Sequence, residues 1–186
     1  FLDCCERIGA TVDRESYAVD HDGRRSWVRT YPIPIDAGGL RERAARPEAE
    51  LWKERFLSGW THGGPSEGHL VVRADRTEPS KNIIRGFEAF GLLLDRRPDL
   101  AATTRFIACL YPSRQTMPEY RRYSSEIERV VDEIKARHPG SIQLFLQDDF
   151  DRTLAALRIY DVLLVNPIMD GMNLVSKEGP ALNEVG

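Results

Sequence analysis

Val162-Leu-Leu-Val-Asn-Pro-Ile-Met-Asp-Gly-Met-Asn-Leu-Val-Ser-Lys-Glu178 is the stretch whose reading decides the fold. An apolar run too short for a helix enters Pro167, Asp170-Gly171 turns the chain, and a helix is predicted to start near Asn173 with Glu178 about a turn inside. Working back along the chain, the same strand-then-helix unit recurs. Apolar strands are predicted at His69–Arg73, Arg105–Tyr111, Ile142–Leu146 and Val162–Val165. Helical stretches near Lys81–Leu94, Pro118–Arg137, Asp149–Arg158 and Asn173–Leu182 alternate with them. That alternation predicts an α/β fold, a parallel sheet with helices on both faces. Ligands of such sheets collect at the carboxyl ends of the strands, so the segments directly after each strand are the ones to search.

Upstream of the repeating units the pattern differs. Phe1-Leu-Asp-Cys-Cys-Glu-Arg-Ile8 reads as a helix, and alternating residues around Thr11 to Val19 and Arg25 to Ile35 flank Asp22-Gly23, the turn pair of a hairpin. The second arm leads into Tyr31-Pro-Ile-Pro-Ile-Asp36. From Gly39 to about Ser58 the spacing of Leu40, Ala44, Leu51 and Phe56 suits a helix bent or restarted at Pro47, and Thr61-His-Gly-Gly-Pro-Ser-Glu-Gly68 forms a turn-rich linker.

Composition excludes several function classes. Across 186 residues, 26 basic side chains are scattered among 29 acidic ones for a net charge of −3, which gives no basic face for nucleic acid or an anionic membrane. No apolar run approaches the roughly 18 residues of a membrane span. The three cysteines, Cys4, Cys5 and Cys109, are odd in number and favour a reducing compartment, so the cytoplasm is expected. No metal is expected, because His21, His62, His69 and His138 lack ligand spacing to one another and to the cysteines, and no cofactor is expected. The chain opens inside a helix without an initiator Met and stops just after a helix exit, and it is expected to be a fragment.

Four post-strand segments carry candidate chemistry. Arg73-Ala-Asp-Arg-Thr-Glu-Pro-Ser-Lys81-Asn82 brings Arg76, Lys81 and a helix start together, either a diphosphate cradle or a solvated charged turn. In Tyr111-Pro-Ser-Arg114 the guanidinium of Arg114 suits a phosphate monoester, or serves as a surface residue paired with a nearby acid. Gln147-Asp-Asp-Phe-Asp-Arg152 offers Phe150 either to a base or sugar or to the core, while Asp148, Asp149 or Asp151 caps the helix. In the opening stretch Gly171 permits close backbone approach, Asp170 can accept from sugar hydroxyls, the helix start can face phosphate and Glu178 suits ribose hydroxyls. The alternative there is a tight turn capped by Asp170.

At Asp170 to Glu178 the chain resembles the trehalose-6-phosphate synthase family, whose signature reads Asp-Gly-Met-Asn-Leu-Val-(Ala/Ser)-Lys-Glu. The likeness continues in order through Phe1-Leu-Asp-Cys4, Tyr31 to Asp36, Arg76 with Lys81, Pro112-Ser-Arg114, Phe150-Asp-Arg152 and Tyr160-Asp161, and so covers nearly the whole chain. The resemblance implies a GT-B fold of two Rossmann-like halves. Residues 1–38 would be the end of the N-terminal domain and an interdomain crossover, and residues 39–186 an incomplete C-terminal, donor-binding Rossmann-like half. It implies retaining transfer of glucose from a nucleotide-glucose donor (UDP- or GDP-glucose) to glucose 6-phosphate. Arg76 and Lys81 would hold the diphosphate, and Arg114 would reach the acceptor phosphate. Phe150 would lie against the base and Asp170 against the transferred sugar. Gly171, Met172, Asn173, Leu174, Val175, Ser176, Lys177 and Glu178 would line phosphate and ribose.

The chain departs from the family pattern at Pro34, where glycine is common, and at Thr77-Glu-Pro-Ser80, where a Leu-Asp-Tyr type sequence is common. The second form is also similar to validoxylamine A 7′-phosphate synthase, a pseudo-glycosyltransferase that joins cyclitols through nitrogen, whereas Met172 favours the sugar-transferring side. A noncatalytic nucleotide-sugar-binding module is the reading from another class. The family's N-terminal glycine loop has no counterpart in these residues, so the fragment by itself is expected not to turn over; a homo-oligomer is compatible with the family.

Overall fold

The computed structural model describes residues 1–59 and 68–185. The predicted linker of residues 61–68 therefore lies, except for Gly68, outside the described residues. The chain divides into two compact units, residues 1–34 and 35–186.

In the first unit, helix α1 (Leu2–Arg7) precedes strands β1 (Thr11–Asp13), β2 (Ala18–His21) and β3 (Arg24–Trp27), an antiparallel meander in chain order. Asp22 and Gly23 make the expected hairpin turn, both at positive φ (48° and 74°), as the twist of a two-residue hairpin loop demands. The predicted first arm is two strands, not one. The Asp13 carboxylate accepts from the backbone N–H of Glu15 and Ser16 (3.0 and 3.1 Å) and from Ser16 Oγ (2.6 Å), which folds the chain back on itself before Tyr17. The second arm ends at Trp27, well short of Ile35; Pro32 and Pro34 have no N–H to give a ladder.

The second unit opens with α2 (Ala37–Ala44), capped by Asp36 accepting from Gly39 N, and α3 (Pro47–Ser58), so the helix does restart at Pro47. Strand β4 (His69–Arg76) leads through a 3₁₀ turn (Pro79–Lys81) to α4 (Ile83–Arg96) and the short α5 (Pro98–Ala101). Then come β5 (Thr104–Tyr111), α6 (Pro118–Arg137), β6 (Ile142–Leu146), α7 (Phe150–Arg158), β7 (Val162–Leu163) and α8 (Val175–Leu182). Among the described residues the four strands form one parallel sheet in the order β6-β5-β4-β7.

Helices cover both faces, and side-chain parity shows how. In β5, Phe106, Ala108 and Leu110 pack with Ile83, Phe87 and Phe90 of α4 and Ile127, Val131 and Ile134 of α6. Ile107 and Cys109 point the other way, to Ala44, Phe56, Leu154, Leu157 and Leu182 from α2, α3, α7 and α8. The connections from β4 to β5 to β6 step in one direction with α4 and α6 on one face. The chain then crosses back to β7 with α7 on the opposite face, as right-handed crossovers require.

Strand β4 is longer than the expected His69–Arg73: Ala74, Asp75 and Arg76 pair with Cys109, Leu110 and Tyr111 of β5. The β7 ladder is shorter than expected and ends at Leu163, with one further bond from Leu164 N to Val72 O at 2.8 Å.

Candidate functional site

Strand order fixes where a ligand site can form. The strands on either side of the gap between β4 and β7 send their following helices, α4 and α8, to opposite faces, which makes their carboxyl ends the switch point of the sheet. Both loops that leave this point carry candidates from the sequence.

Lys81 closes the 3₁₀ turn after β4, and its Nζ is ion-paired with Asp170 Oδ2 on the loop after β7. Asp75 Oδ1 lies 3.6 Å from the same ammonium. Asp170 also accepts from Met172 N (3.3 Å) and Asn173 Nδ2 (3.1 Å), so one carboxylate gathers three of the named positions around Lys81. The Lys81 ammonium holds the Asp170 carboxyl below the usual carboxylate range. Ile168 N donates to Ser80 O (2.9 Å) and Asn82 Nδ2 to Asn166 O (3.1 Å), which stitch the two loops together.

Helix α8 starts at Val175, two residues after the expected Asn173, because Asn173 is used in capping: its Oδ1 accepts from Ser176 N at 3.1 Å and its backbone carbonyl from Ser176 Oγ at 2.7 Å. Leu174 stands at the N-cap and Lys177 and Ser176 are exposed. Glu178 is half-buried and meets no donor among the described residues; burial alone raises its carboxyl above the ordinary range. Gly171 keeps no positive φ, and a Cβ there would meet no atom within 4 Å, so the fold itself does not ask for glycine.

Arg76 ends β4, half exposed, with Nη1 2.7 Å from Glu78 Oε1. Glu78 also accepts from Ser113 Oγ (3.1 Å), which ties the loops after β4 and β5. Arg114 is engaged apart from this group: held at φ 47°, it donates from Nη1 to Tyr120 OH at 3.0 Å. Phe150 begins α7 after the edge strand β6, with the Arg43 guanidinium 4.5 Å from its ring centroid. The helix cap beside it is Asp149, which accepts from Arg152 N, while Asp151 pairs with Arg43.

Sequence reasoning missed the centre of this arrangement. Arg73 is fully buried, and its Nε donates to Asp75 Oδ2 (2.9 Å), Nη1 to Asn166 Oδ1 (2.6 Å) and Nη2 to the Lys81 carbonyl. Burial pushes the Asp75 carboxyl up and the Arg73 guanidinium down, the sign of a pair taken out of water together. The available signal was Val71, Arg73 and Asp75 at strand spacing: opposite charges on one inward face must satisfy each other.

A model of glycosyltransferase family 20 matches residues 1–184. The chain belongs to glycosyltransferase family 20. This is the trehalose-6-phosphate synthase family of the sequence resemblance. Among family 20 relatives it is 31% identical over 94% of its length to a validamine 7-phosphate valienyltransferase of Streptomyces hygroscopicus, of which it covers 33%. It is 30% identical over 99% of its length to a probable UDP-forming α,α-trehalose-phosphate synthase of Arabidopsis thaliana, of which it covers 22%. The chain thus spans about a third or less of the curated relatives it matches. The crystal structure of a UDP-forming α,α-trehalose-phosphate synthase from Burkholderia xenovorans superposes with a TM-score of 0.82 at 25% identity, over 98% of this chain and 41% of that one. The fold is accordingly part of a GT-B fold. Among the described residues no helix is long and apolar enough to cross a membrane.

Proposed function

We propose that this chain forms the nucleotide-sugar side of a retaining hexosyltransferase that moves glucose from UDP- or GDP-glucose to glucose 6-phosphate, giving trehalose 6-phosphate. The observation that carries this reading is the meeting of Lys81 with Asp170 and its loop at the switch point of the sheet, in a chain of glycosyltransferase family 20. Arg76 and Lys81 hold the donor diphosphate. Asp170 takes hydroxyls of the transferred glucose, the backbone from Gly171 through Lys177 lines phosphate, and Glu178 takes the ribose. A half-buried carboxylate that meets no donor among the described residues suits that last role, because ligand hydroxyls would supply hydrogen bonds to it. Phe150 lies against the base and Arg114 reaches the acceptor phosphate. Residues 39–186 then belong to the donor domain and residues 1–38 to the end of the preceding domain and its crossover, in a protein of the cytoplasm. The UDP-forming relatives favour UDP-glucose as donor.

The chemistry asks little of the protein beyond positioning and charge. The bond from glucose C1 to the diphosphate oxygen breaks while the acceptor hydroxyl attacks the same face, and its proton passes to the departing phosphate oxygen. Cations fixed before the reaction stabilise the charge that gathers on that oxygen, with no reorganisation at the moment of transfer.

A second reading has its own support in the 31% identity to a validamine 7-phosphate valienyltransferase: coupling of a nucleotide-cyclitol to an aminocyclitol phosphate at the same site. The deciding experiment offers the full-length protein each nucleotide-glucose with glucose 6-phosphate, and a nucleotide-cyclitol with validamine 7-phosphate, and identifies products by mass spectrometry. Trehalose 6-phosphate supports the first reading. A nitrogen-linked pseudodisaccharide alone replaces it with the second, and no product from either pair, with donor still bound, refutes both as enzymes.

A further inference from the structure

We infer that Arg73, which touches none of the proposed ligand groups, is a positioning residue that sets the donor-diphosphate site by fixing the two loops on either side of the switch point. This rests on the donor-site reading above and adds to it the part that holds Lys81 in place.

Lys81 sits in a three-residue 3₁₀ turn followed by Asn82 at φ 56°, a backbone with little regular structure to restrain it. Asp170 lies on the loop after β7, where the ladder has already ended. The rigid element nearby is β4, paired on both sides by β5 and β7. Arg73 grows from that strand and spreads its fork three ways: Nε to Asp75 on its own strand (2.9 Å), Nη2 to the Lys81 carbonyl, and Nη1 to Asn166 Oδ1 (2.6 Å) on the second loop. A planar guanidinium fixes the angle between such bonds, whereas a lysine at the same place could not span all three acceptors.

Two further features show that the fold makes room for this bridge. A Cβ at Gly86, in the first turn of α4, would lie 2.6 Å from Arg73 Nη1 and 3.4 Å from Asn166 Oδ1, so glycine there clears the path of the guanidinium. Asn82 and Asn166 are joined again by Asn82 Nδ2 to Asn166 O at 3.1 Å, so the loops close on each other around the arginine. Loops held this way present the Lys81 ammonium without reordering when an anion arrives, and preorganisation of that kind appears as affinity.

The test uses the full-length protein with Arg73→Lys and Asn166→Ala, each measured by calorimetry for UDP and UMP well below its unfolding temperature. UDP affinity is expected to fall about tenfold in each, as for loss of a hydrogen bond to a charged group, and UMP, which lacks the β-phosphate, by less than about twofold. The double variant is expected to lose no more than the worse single, since both cut one bridge. Unchanged UDP affinity in folded variants, or equal losses for UDP and UMP, overturns the inference while leaving the donor reading intact. Wild-type protein that binds neither UDP nor GDP overturns the donor reading and this inference with it. Should Arg73→Lys fail to fold, Asn166→Ala, whose side chain is only half-buried, decides alone.

Discussion

Gly86→Ala sets two effects of opposite sign against each other at one atom. Gly86 lies inside α4, where exchanging glycine for alanine ordinarily stabilises a helix by about 1 kcal/mol. Here the new methyl would lie 2.6 Å from Arg73 Nη1 and 3.2 Å from Leu164 Cδ2. The tip of an arginine is usually free to step aside, but this one is buried and held by three acceptors, so moving it breaks the bond to Asn166 Oδ1. A hydrogen bond to a charged group contributes about 1.5–3 kcal/mol, so the clash should outweigh the helix gain and leave a net loss of roughly 1 kcal/mol.

Urea unfolding followed by circular dichroism reads this as a midpoint lowered by about 0.5 M for a slope near 2 kcal/mol per molar. The same substitution placed on Arg73→Met, where no guanidinium remains to be displaced, should instead raise the midpoint, because the helix propensity is then opposed only by the milder contact with Leu164 Cδ2 at 3.2 Å. Gly86→Ala more stable than wild type, or the same shift in both backgrounds, would refute the claim that glycine is there to admit Arg73.

Arg76→Ala and Lys81→Ala should each weaken UDP-glucose binding at least tenfold, by about 1.4 kcal/mol, while the urea midpoint moves little for the half-exposed Arg76; unchanged affinity in both removes the diphosphate cradle. Glu178 has its carboxyl raised by burial, so its folded pKa exceeds the unfolded one of about 4.3; stability is full below that value and falls as pH rises through the folded pKa. Glu178→Gln should flatten that fall and leave the protein as stable or more so near pH 7, while donor affinity drops; a stability curve identical to wild type between pH 4 and 7 would contradict it. Asp170→Asn removes the carboxylate that holds Lys81, so UDP should bind as well or better while the added affinity due to the glucose of UDP-glucose is lost. Equal weakening of both ligands in calorimetry would count against Asp170 as the glucose contact.

The repeating units were legible because their chemistry is local. Pro118 opens α6 at a position where its missing N–H costs nothing, and Tyr123, Ile127, Val130, Val131 and Ile134 keep helical spacing, so the expected and observed bounds coincide. Strand β6 likewise agrees to the residue. The end of β4 was misjudged because Arg73-Ala-Asp-Arg76 has the composition of a loop; what makes it strand is the ladder of Ala74, Asp75 and Arg76 with Cys109, Leu110 and Tyr111 of β5, and what lets Arg73 stay buried there is Asp75 on its own strand and Asn166, 93 residues away. The turn in the first arm had a local signal that was passed over: Asp13-Arg-Glu-Ser16 is an unbroken polar run that interrupts the alternation, and three bonds to the Asp13 carboxylate turn the chain there. The resemblance assigned Lys81 and Asp170 to different parts of one donor, and their direct ion pair, between residues 89 apart in sequence, was not among its expectations.

The charges at the switch point bear on how the proposed anion site would work in a chain with no basic face. Each cation has its own carboxylate: Arg76 has Glu78 at 2.7 Å, Arg73 has Asp75 at 2.9 Å, and Lys81 has Asp170 with Asp75 at 3.6 Å. Two of these pairings are fixed by further bonds, Glu78 by Ser113 Oγ and Arg73 by Asn166 Oδ1 and the Lys81 carbonyl. Asp170 differs, since its other partners are the backbone N–H of Met172 and the Asn173 side-chain amide, and in the proposed reading a diphosphate would take Lys81 from it. The carboxylate released by that exchange would stand beside the phosphate that displaced it, where hydroxyls of a sugar on the same diphosphate would arrive. A donor bearing its sugar would thus satisfy both members of the broken pair, and a bare nucleotide diphosphate only one, which is why the Asp170→Asn experiment separates the two ligands.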